Sequence, residues 1–301
     1  MRIKELIGGL ALLIAASNAS AKMSVFACEP EWEALVKSLG GDHVTTFSAT
    51  HAFQDPHYIE ALPALISKLN RADLLVCTGA ELEVGWLPLL QRKSGNPDVQ
   101  PGQAGVFLAA DFVKKLEVPH VHDCSGGDIH AAGNPHVHLD PRRVLTIAQH
   151  LHERLIQLDP SNSDDYRAQF EHFSARWQNH IARWERKSQP LTKLQVMVQH
   201  RNWSYLFDWL GIREVADLEP KPGLPPTSRH LQSLVKTAGQ QMIDGILIAN
   251  YQEDRGAKWL SEKIDRPYVA LPFTLGAEED IETLAQLFDR ILDHLLDISP
   301  Q

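Results

Sequence analysis

The sequence of 301 residues contains only three cysteines, 7% aromatic residues and no long uninterrupted apolar run. Because a membrane-spanning helix needs ~20 mostly apolar residues, the sequence predicts no such helix. Basic residues are also scarce, with 29 Lys and Arg against 38 Asp and Glu, and this acidic balance argues against nucleic acid as a partner. The 44% of hydrophobic residues is enough for one large core or two ordinary ones, which excludes a disordered protein.

The first 21 residues have the pattern of a secretory signal peptide. Arg2 and Lys4 precede the apolar run 10–16, and Ala19-Ser20-Ala21 supplies the small side chains that a signal peptidase requires. We therefore predict cleavage near Ala21 and a periplasmic mature protein. The residue directly after this cleavage site is Lys22 and not a cysteine, so we expect no lipid modification and no stable membrane anchor.

The three cysteines, Cys28, Cys77 and Cys124, are an odd set. Cys28 and Cys77 lie in apolar, strand-like runs, where a buried and inert thiol is the expected state. A disulfide between these two residues is the alternative that the sequence leaves open.

Short β-rich runs alternate with longer helical runs in both halves of the chain, which is typical of parallel α/β structure. We predict two lobes, each an approximately four-stranded, mainly parallel sheet flanked by helices. The predicted strands are 24–28, 44–49, 73–78 and 106–110, then 194–199, 214–217, 245–249 and 268–271. The predicted helices between them are 31–39, 57–69, 81–91, 227–239, 255–264 and 278–297.

Residues 141–158 and 163–187 carry helical periodicity with almost no glycine or proline. In the second run, aromatic and aliphatic residues recur every three or four positions and form one apolar stripe, which indicates core packing. A packed helix joining two lobes is stiff, whereas a Gly/Ser linker would be loose. The predicted organisation is a signal peptide 1–21, an N-terminal lobe 22–140, a helical spine 141–188 and a C-terminal lobe 189–301, in a monomer.

Fifteen histidines are the unusual feature of the composition. Imidazole is the commonest transition-metal ligand and also titrates near neutrality. Because open α/β sheets bind ligands at the carboxyl ends of their strands, histidines that follow strands are the best candidates. His57 follows the second strand and is expected at the start of a helix, His136 follows the fourth strand and a loop, and His200 ends the first strand of the second half. These three could meet only between the lobes, where they would form a site for a divalent metal such as Zn²⁺.

Other histidines have weaker claims to a functional role. His138 would face away from His136 in an extended segment, which assigns it to the cleft wall or to a supporting position. His120, His122 and His130 lie in a Gly-containing loop, where they either gather metal loosely or are merely solvated. We expect surface or packing roles for the helical histidines 150, 152, 172 and 180. The proline-rich segment 218–230 is predicted to be an ordered loop at the lip of the cleft.

Several motifs together resemble the cluster A-I zinc and manganese solute-binding proteins of ABC importers. They are Gly40-Gly41-Asp42-His43-Val44, Asp55-Pro56-His57, Ala72-Asp73-Leu74-Leu75-Val76, Gly79-Ala80-Glu81-Leu82-Glu83, Asn134-Pro135-His136, Leu139-Asp140-Pro141 and the strand that ends in His200. The resemblance implies two α/β lobes joined by a long rigid helix, with His57, His136 and His200 as the metal ligands. Where this family usually carries an acid, residues 271–276 have none, so a water or one of the acids 253, 254, 278, 279 and 280 would complete the site.

The predicted function is high-affinity capture of a divalent transition metal between the lobes and its delivery to the membrane permease of an ABC importer. Zn²⁺ is favoured as the transported ligand and Mn²⁺ is the alternative, because Mn²⁺ prefers sites rich in oxygen. One rival is an exported zinc-dependent hydrolase with a three-histidine site, and another is a metal-storage or adhesion protein. Against the hydrolase, the chain lacks a His-Glu-x-x-His helix and the eight βα units of a barrel, so we predict no enzyme.

Overall fold

The computed structural model describes residues 21–119 and 130–299, so most of the predicted signal peptide lies outside the described residues. The strands are β1 Met23–Ala27, β2 Val44–Ser48, β3 Leu74–Cys77, β4 Val106–Leu108, β5 Gln195–Val198, β6 Arg213–Asp217, β7 Gly245–Ala249 and β8 Tyr268–Leu271. The helices are α1 Pro30–Gly40, α2 Pro63–Asn70, α3 Leu87–Ser94, α4 Pro141–Leu158, α5 Ser163–Lys187, α6 Ser204–Leu210, α7 Ser228–Ala238, α8 Arg255–Ile264 and α9 Leu284–Asp297. Within these ranges, every helix is too short or too polar to cross a membrane.

Two four-stranded parallel sheets are formed, in the orders β2-β1-β3-β4 and β6-β5-β7-β8. The predicted fold class is thereby confirmed. In both sheets the strand order reverses beside the first strand, and such a switch point is where open α/β sheets bind ligands. The exact lobe boundaries at 140/141 and 188/189 stay a prediction.

One hydrophobic core lies between the sheets and is shared by both lobes. The inward side chains of β1, such as Val25, join the same cluster as Val196 and Val198 of β5 and the buried faces of α1, α4, α5 and α9. The outer face of each sheet packs separately, against α2 and α3 in one lobe and against α7 and α8 in the other. Because the inner core is continuous, the lobes are held by apolar contacts as well as by the chain that links them.

Helix α5, with 25 residues, is the predicted spine. Its aromatic stripe is buried as expected, with Trp177 donating a hydrogen bond from Nε1 to the carbonyl of Pro141 on α4 at 2.8 Å. Near its end, Trp184 is fully buried and donates to Asp289 of α9 at 2.7 Å. The spine is thus packed along its length, which is how a helix becomes a stiff connection.

Three helices begin later than the sequence pattern predicts. Helix α2 begins at Pro63 instead of 57, because a residue that precedes proline is disfavoured in helical conformation. Helix α3 begins at Leu87 instead of 81, since Gly79, Ala80 and Glu81 all have positive φ. Helix α9 begins at Leu284 instead of 278, where Thr283 and Gln286 form a reciprocal capping box. The expectation that His57 begins a helix is therefore wrong.

The expected free thiols at Cys28 and Cys77 are also wrong, because the two residues form a disulfide with their Cα atoms 4.8 Å apart. The parallel register pairs Ala27 with Val76, so the next residue of each strand lies beside the other. Cys124 lies outside the described residues.

Candidate metal centre

His57 sits in a turn between β2 and α2 that its own neighbours hold in place. Asp55 Oδ1 accepts hydrogen bonds from the backbone N–H of His57 at 3.0 Å and from its ring Nδ1 at 2.7 Å. Trp86 donates a hydrogen bond from Nε1 to the carbonyl of Pro56 at 2.9 Å, and this contact holds the Asp-Pro-His turn in place. A proton on Nδ1 leaves the lone pair of the neutral ring on Nε2, the state in which imidazole binds metals.

His136 is the most buried of the three predicted ligands, with 1% of its surface exposed. The side-chain oxygen of Asn134 accepts a hydrogen bond from the backbone N–H of His136 at 3.0 Å. The backbone carbonyl of Asn134 accepts another from the hydroxyl of Tyr205 on α6 at 2.6 Å. The Asn-Pro-His segment is therefore held from the C-terminal half of the chain. Burial, and then repulsion from His57 and His200, lower the pKa of His136 well below its usual value. The ring is thus neutral at physiological pH, and its Nδ1 is buried without a hydrogen-bond partner.

His200 lies two residues after the end of β5, close to the predicted position at the end of this strand, and it lies against the proline-rich loop. Glu219 Oε2 accepts a hydrogen bond from Nδ1 of His200 at 2.7 Å and another from the backbone N–H of Gly223 at 2.8 Å. One carboxylate therefore orients the imidazole and anchors the loop. Gly223, Pro225 and Pro226 line a cavity of about 700 Å³ beside His57 and His200, which confirms the predicted place of this loop at the cleft.

The three imidazoles converge at one point between the lobes. One ring nitrogen from each of His57, His136 and His200 lies within 4.8 Å of the other two. The ring centroids are 5.8 to 6.3 Å apart, and the ring planes cross at 75 to 79°. The three nitrogens are buried, and carboxylates fix the tautomers of two of the three rings. Such a set of donors could hold a divalent metal.

The loop that replaces the expected acid brings a phenyl ring to the site. Phe273 lies edge-on to His136, with ring centroids 5.3 Å apart, and to His138, at 5.0 Å. Among the residues that the structure describes, no carboxylate joins the three imidazoles. Of the acids considered for the fourth position, Asp254 accepts from Tyr268, and the acids 278 and 280 pair with Arg290.

His138 is buried behind His136 and has a structural role, as expected of a supporting residue. Its Nε2 donates to the carbonyl of Phe273 at 3.1 Å, and its Nδ1 lies 3.5 Å from Glu31. Glu31 in turn accepts a hydrogen bond from Thr274. These contacts join the first lobe to the loop after β8.

The remaining predictions concern the histidines on helices and the histidines of the loop 120–130. The packing expected of the helical histidines is confirmed by aromatic stacking of His150, His152 and His180 on Phe112, Phe170 and Trp184, while His172 is exposed. His120 and His122 lie outside the described residues. His130 is described, and it approaches His57 with the two Nε2 atoms 3.2 Å apart. Sequence reasoning missed this contact, as well as the roles of Phe273 and Glu219, because each joins segments distant in the chain.

Residues 25–297 match the family model described as zinc-uptake complex component A, periplasmic. The chain belongs to this zinc-uptake family. Its members are solute-binding proteins and not enzymes, which confirms the prediction that this protein is not an enzyme. The family resemblance drawn from the sequence motifs is confirmed too. This protein is accordingly a divalent-metal-binding component of an ABC importer that acts outside the cytoplasm with a membrane permease.

The proteins similar to this zinc-uptake family member include a relative named for metal in general and a structure that holds manganese. The metal ABC transporter substrate-binding lipoprotein SloC of Streptococcus mutans is 23% identical over 271 residues, which cover 88% of this chain and 85% of SloC. The crystal structure of ZnuA superimposes with a TM-score of 0.77 at 20% identity, covering 93% of this chain and 100% of ZnuA. A manganese-bound periplasmic metal-binding protein from Candidatus Liberibacter asiaticus has a TM-score of 0.75 at 18% identity, covering 92% and 99%.

Proposed function

We propose that this protein captures Zn²⁺ in the periplasm, with His57, His136 and His200 as its ligands, and delivers the ion to its permease as a monomer. The convergence of three buried imidazoles on one point between the lobes supports this proposal best. The absence of a stable membrane anchor stays a prediction, and SloC is named a lipoprotein.

The chemistry of the donors favours Zn²⁺ over Mn²⁺. Neutral imidazole nitrogens suit Zn²⁺, whereas Mn²⁺ prefers carboxylate, carbonyl and water oxygens. At this site the described carboxylates, Asp55 and Glu219, are occupied by hydrogen bonds to the ligand rings. Phe273 further makes the surroundings of His136 apolar. A nitrogen-rich site of this kind should bind Zn²⁺ at least about tenfold more tightly than Mn²⁺, in line with the Irving–Williams order.

Competitive titration against a chromophoric zinc chelator tests the proposal. We expect about one tight Zn²⁺ per chain by metal analysis, with much weaker binding in His57→Ala, His136→Ala and His200→Ala. Exposed His172 provides the matched control, since His172→Ala removes an imidazole far from the cleft and should bind Zn²⁺ as the unmodified protein does. Unchanged affinity in all three cleft variants would refute the ligand assignment, and tighter binding of Mn²⁺ would refute the choice of metal.

One feature in favour of the zinc-hydrolase alternative is the pair His136 and His138, which are separated by one residue as in the zinc sites of some metal hydrolases. In the described structure His138 instead uses Nε2 to hold the carbonyl of Phe273, and its ring is directed toward Glu31. It is therefore committed to joining the lobes, which leaves capture and release of the ion as the chemistry of this site.

A further inference from the structure

His130 approaches one of the three proposed ligands, His57, at the distance that separates two ligand nitrogens of one metal. Its Nε2 lies 3.2 Å from Nε2 of His57, and the two rings are 25° from parallel, with centroids 5.2 Å apart. Two imidazole nitrogens at this distance cannot both present lone pairs, because like partial charges would face each other. Either one proton or one cation lies between them.

The separation suits a shared cation. With Zn–N bonds of about 2.0–2.1 Å, the edge of a tetrahedron joining two ligand nitrogens is about 3.3–3.4 Å. Nδ1 of His57 donates a hydrogen bond to Asp55, so in the neutral ring Nε2 faces His130 with its lone pair. The pair therefore reproduces one edge of a tetrahedral zinc site to within a few tenths of an ångström.

The other side of the site offers no competing ligand among the described residues. The loop after β8 presents the ring of Phe273 to His136, and no described carboxylate lies with the three imidazoles. The turn that carries His130 belongs to the N-terminal half of the chain, as His57 does, and it offers a fourth imidazole.

This turn is anchored close to His136 on its C-terminal side. The backbone N–H of Ala132 donates to Glu81 at 3.3 Å, that of Gly133 to the carbonyl of His130 at 3.0 Å, and that of Asn134 to the carbonyl of Leu116 at 2.9 Å. His130 lies farther than 4.8 Å from at least one of the other two ligand nitrogens, so its ring must turn inward to complete the site.

We infer that His130 is the fourth metal ligand, which makes this an all-nitrogen Zn²⁺ site. The inference rests on the proposed function above. It assigns to a histidine the place that an acid usually takes in the family, and it explains how the site tolerates Phe273 in the loop after β8.

Zn²⁺ affinity and a count of bound imidazoles in the full-length exported protein test this assignment together. His130→Ala and His130→Gln should each weaken Zn²⁺ binding by at least about tenfold, the lower bound for losing even an outer partner of a ligand. In Co²⁺-loaded protein, each bound neutral imidazole contributes one paramagnetically shifted, exchangeable N–H signal in the proton NMR spectrum. Both variants should lose one such signal, and His172→Ala should lose none.

The possible failures are distinguishable. If the His130 variants bind Zn²⁺ normally while those at 57, 136 and 200 do not, His130 is not a ligand and the proposed function stands. If the His130 variants bind weakly but retain every imidazole signal, His130 acts through a hydrogen bond, and the ligand assignment is overturned. If the variants at 57, 136 and 200 also bind normally, the proposed function itself fails.

Discussion

A buried pair of acids in the N-terminal lobe predicts an unusual dependence of stability on pH. Glu29 and Glu83 lie at the carboxyl ends of β1 and β3 with 3% and 2% of their surfaces exposed. Glu83 accepts hydrogen bonds from the backbone N–H groups of Thr78 and Gly79 in the turn before α3. Burial raises the pKa of Glu83 to about 7, even though these hydrogen bonds lower it. Burial and the neighbouring carboxyls of Glu83 and Glu31 raise the pKa of Glu29 as well.

The magnitude follows from the displaced pKa of Glu83. In the unfolded chain this carboxyl ionises near its ordinary pKa of 4.5, while in the folded protein it keeps its proton up to about pH 7. The folded state therefore binds more protons in this window, and its stability is complete below pH 4.5 and is lost as the pH rises toward 7. Between pH 5 and pH 8 the loss due to this group amounts to roughly 2 to 3 kcal/mol.

Urea unfolding of the metal-free protein, followed by tryptophan fluorescence at pH 5 and pH 8, measures this loss. Glu83→Gln cannot ionise but keeps an amide oxygen for one backbone N–H, so its free energy of unfolding should fall less between the two pH values. The difference between the two proteins isolates Glu83 from groups such as His136, whose lowered pKa acts in the opposite direction. Exposed Glu262 supplies the control, because Glu262→Gln should leave the pH profile unchanged. Parallel profiles for Glu83→Gln and the unmodified protein would refute the reasoning.

Three further predictions concern the site, the disulfide and the spine. Glu219→Ala and Asp55→Ala should each weaken Zn²⁺ binding by roughly 10–100-fold, because each carboxylate orients one ligand ring. A change of less than about twofold in chelator competition would contradict this role of the carboxylates. The disulfide leaves only Cys124 to react with a thiol reagent in the unreduced, unfolded protein, and a count of three thiols would disprove the pairing. Removal of the disulfide by the double substitution Cys28→Ala and Cys77→Ala should lower the free energy of unfolding by about 2–4 kcal/mol. Trp184→Ala should cost about 3–5 kcal/mol in urea unfolding, because the ring is fully buried where α5 meets α9; a loss below about 1 kcal/mol would show that the spine is not held there.

Local patterns predicted the strands, the spine and the family, since these depend on residues close in the chain. The core strands Gly245–Ala249 and Tyr268–Leu271 and helix α8 have the predicted bounds. Helix starts were less predictable where a backbone feature overrides periodicity. Positive φ values at Ala80 and Glu81, for example, depend on Glu83 reaching back to the amides of Thr78 and Gly79, which composition does not reveal.

The tertiary structure brought together residues that the sequence could name only one by one. His57, His136 and His200 each follow a strand or a proline turn, and such positions are visible in the sequence. Their convergence, by contrast, depends on two sheets of the same topology that pack across a shared core. The contact between His57 and His130 likewise joins residues that are 73 positions apart in the chain.

Local sequence patterns predicted every described strand, every described helix except α6, the pattern of an exported chain and the imidazole chemistry at the strand ends. These properties follow from side-chain periodicity and from turns that a few neighbouring residues specify. Only the tertiary structure decided that Cys28 faces Cys77, that Phe273 lies against His136 and that His130 lies beside His57. Strand register and loop return bring such residues together across 49 to 137 positions of chain, for example, and no local pattern encodes contacts over those separations.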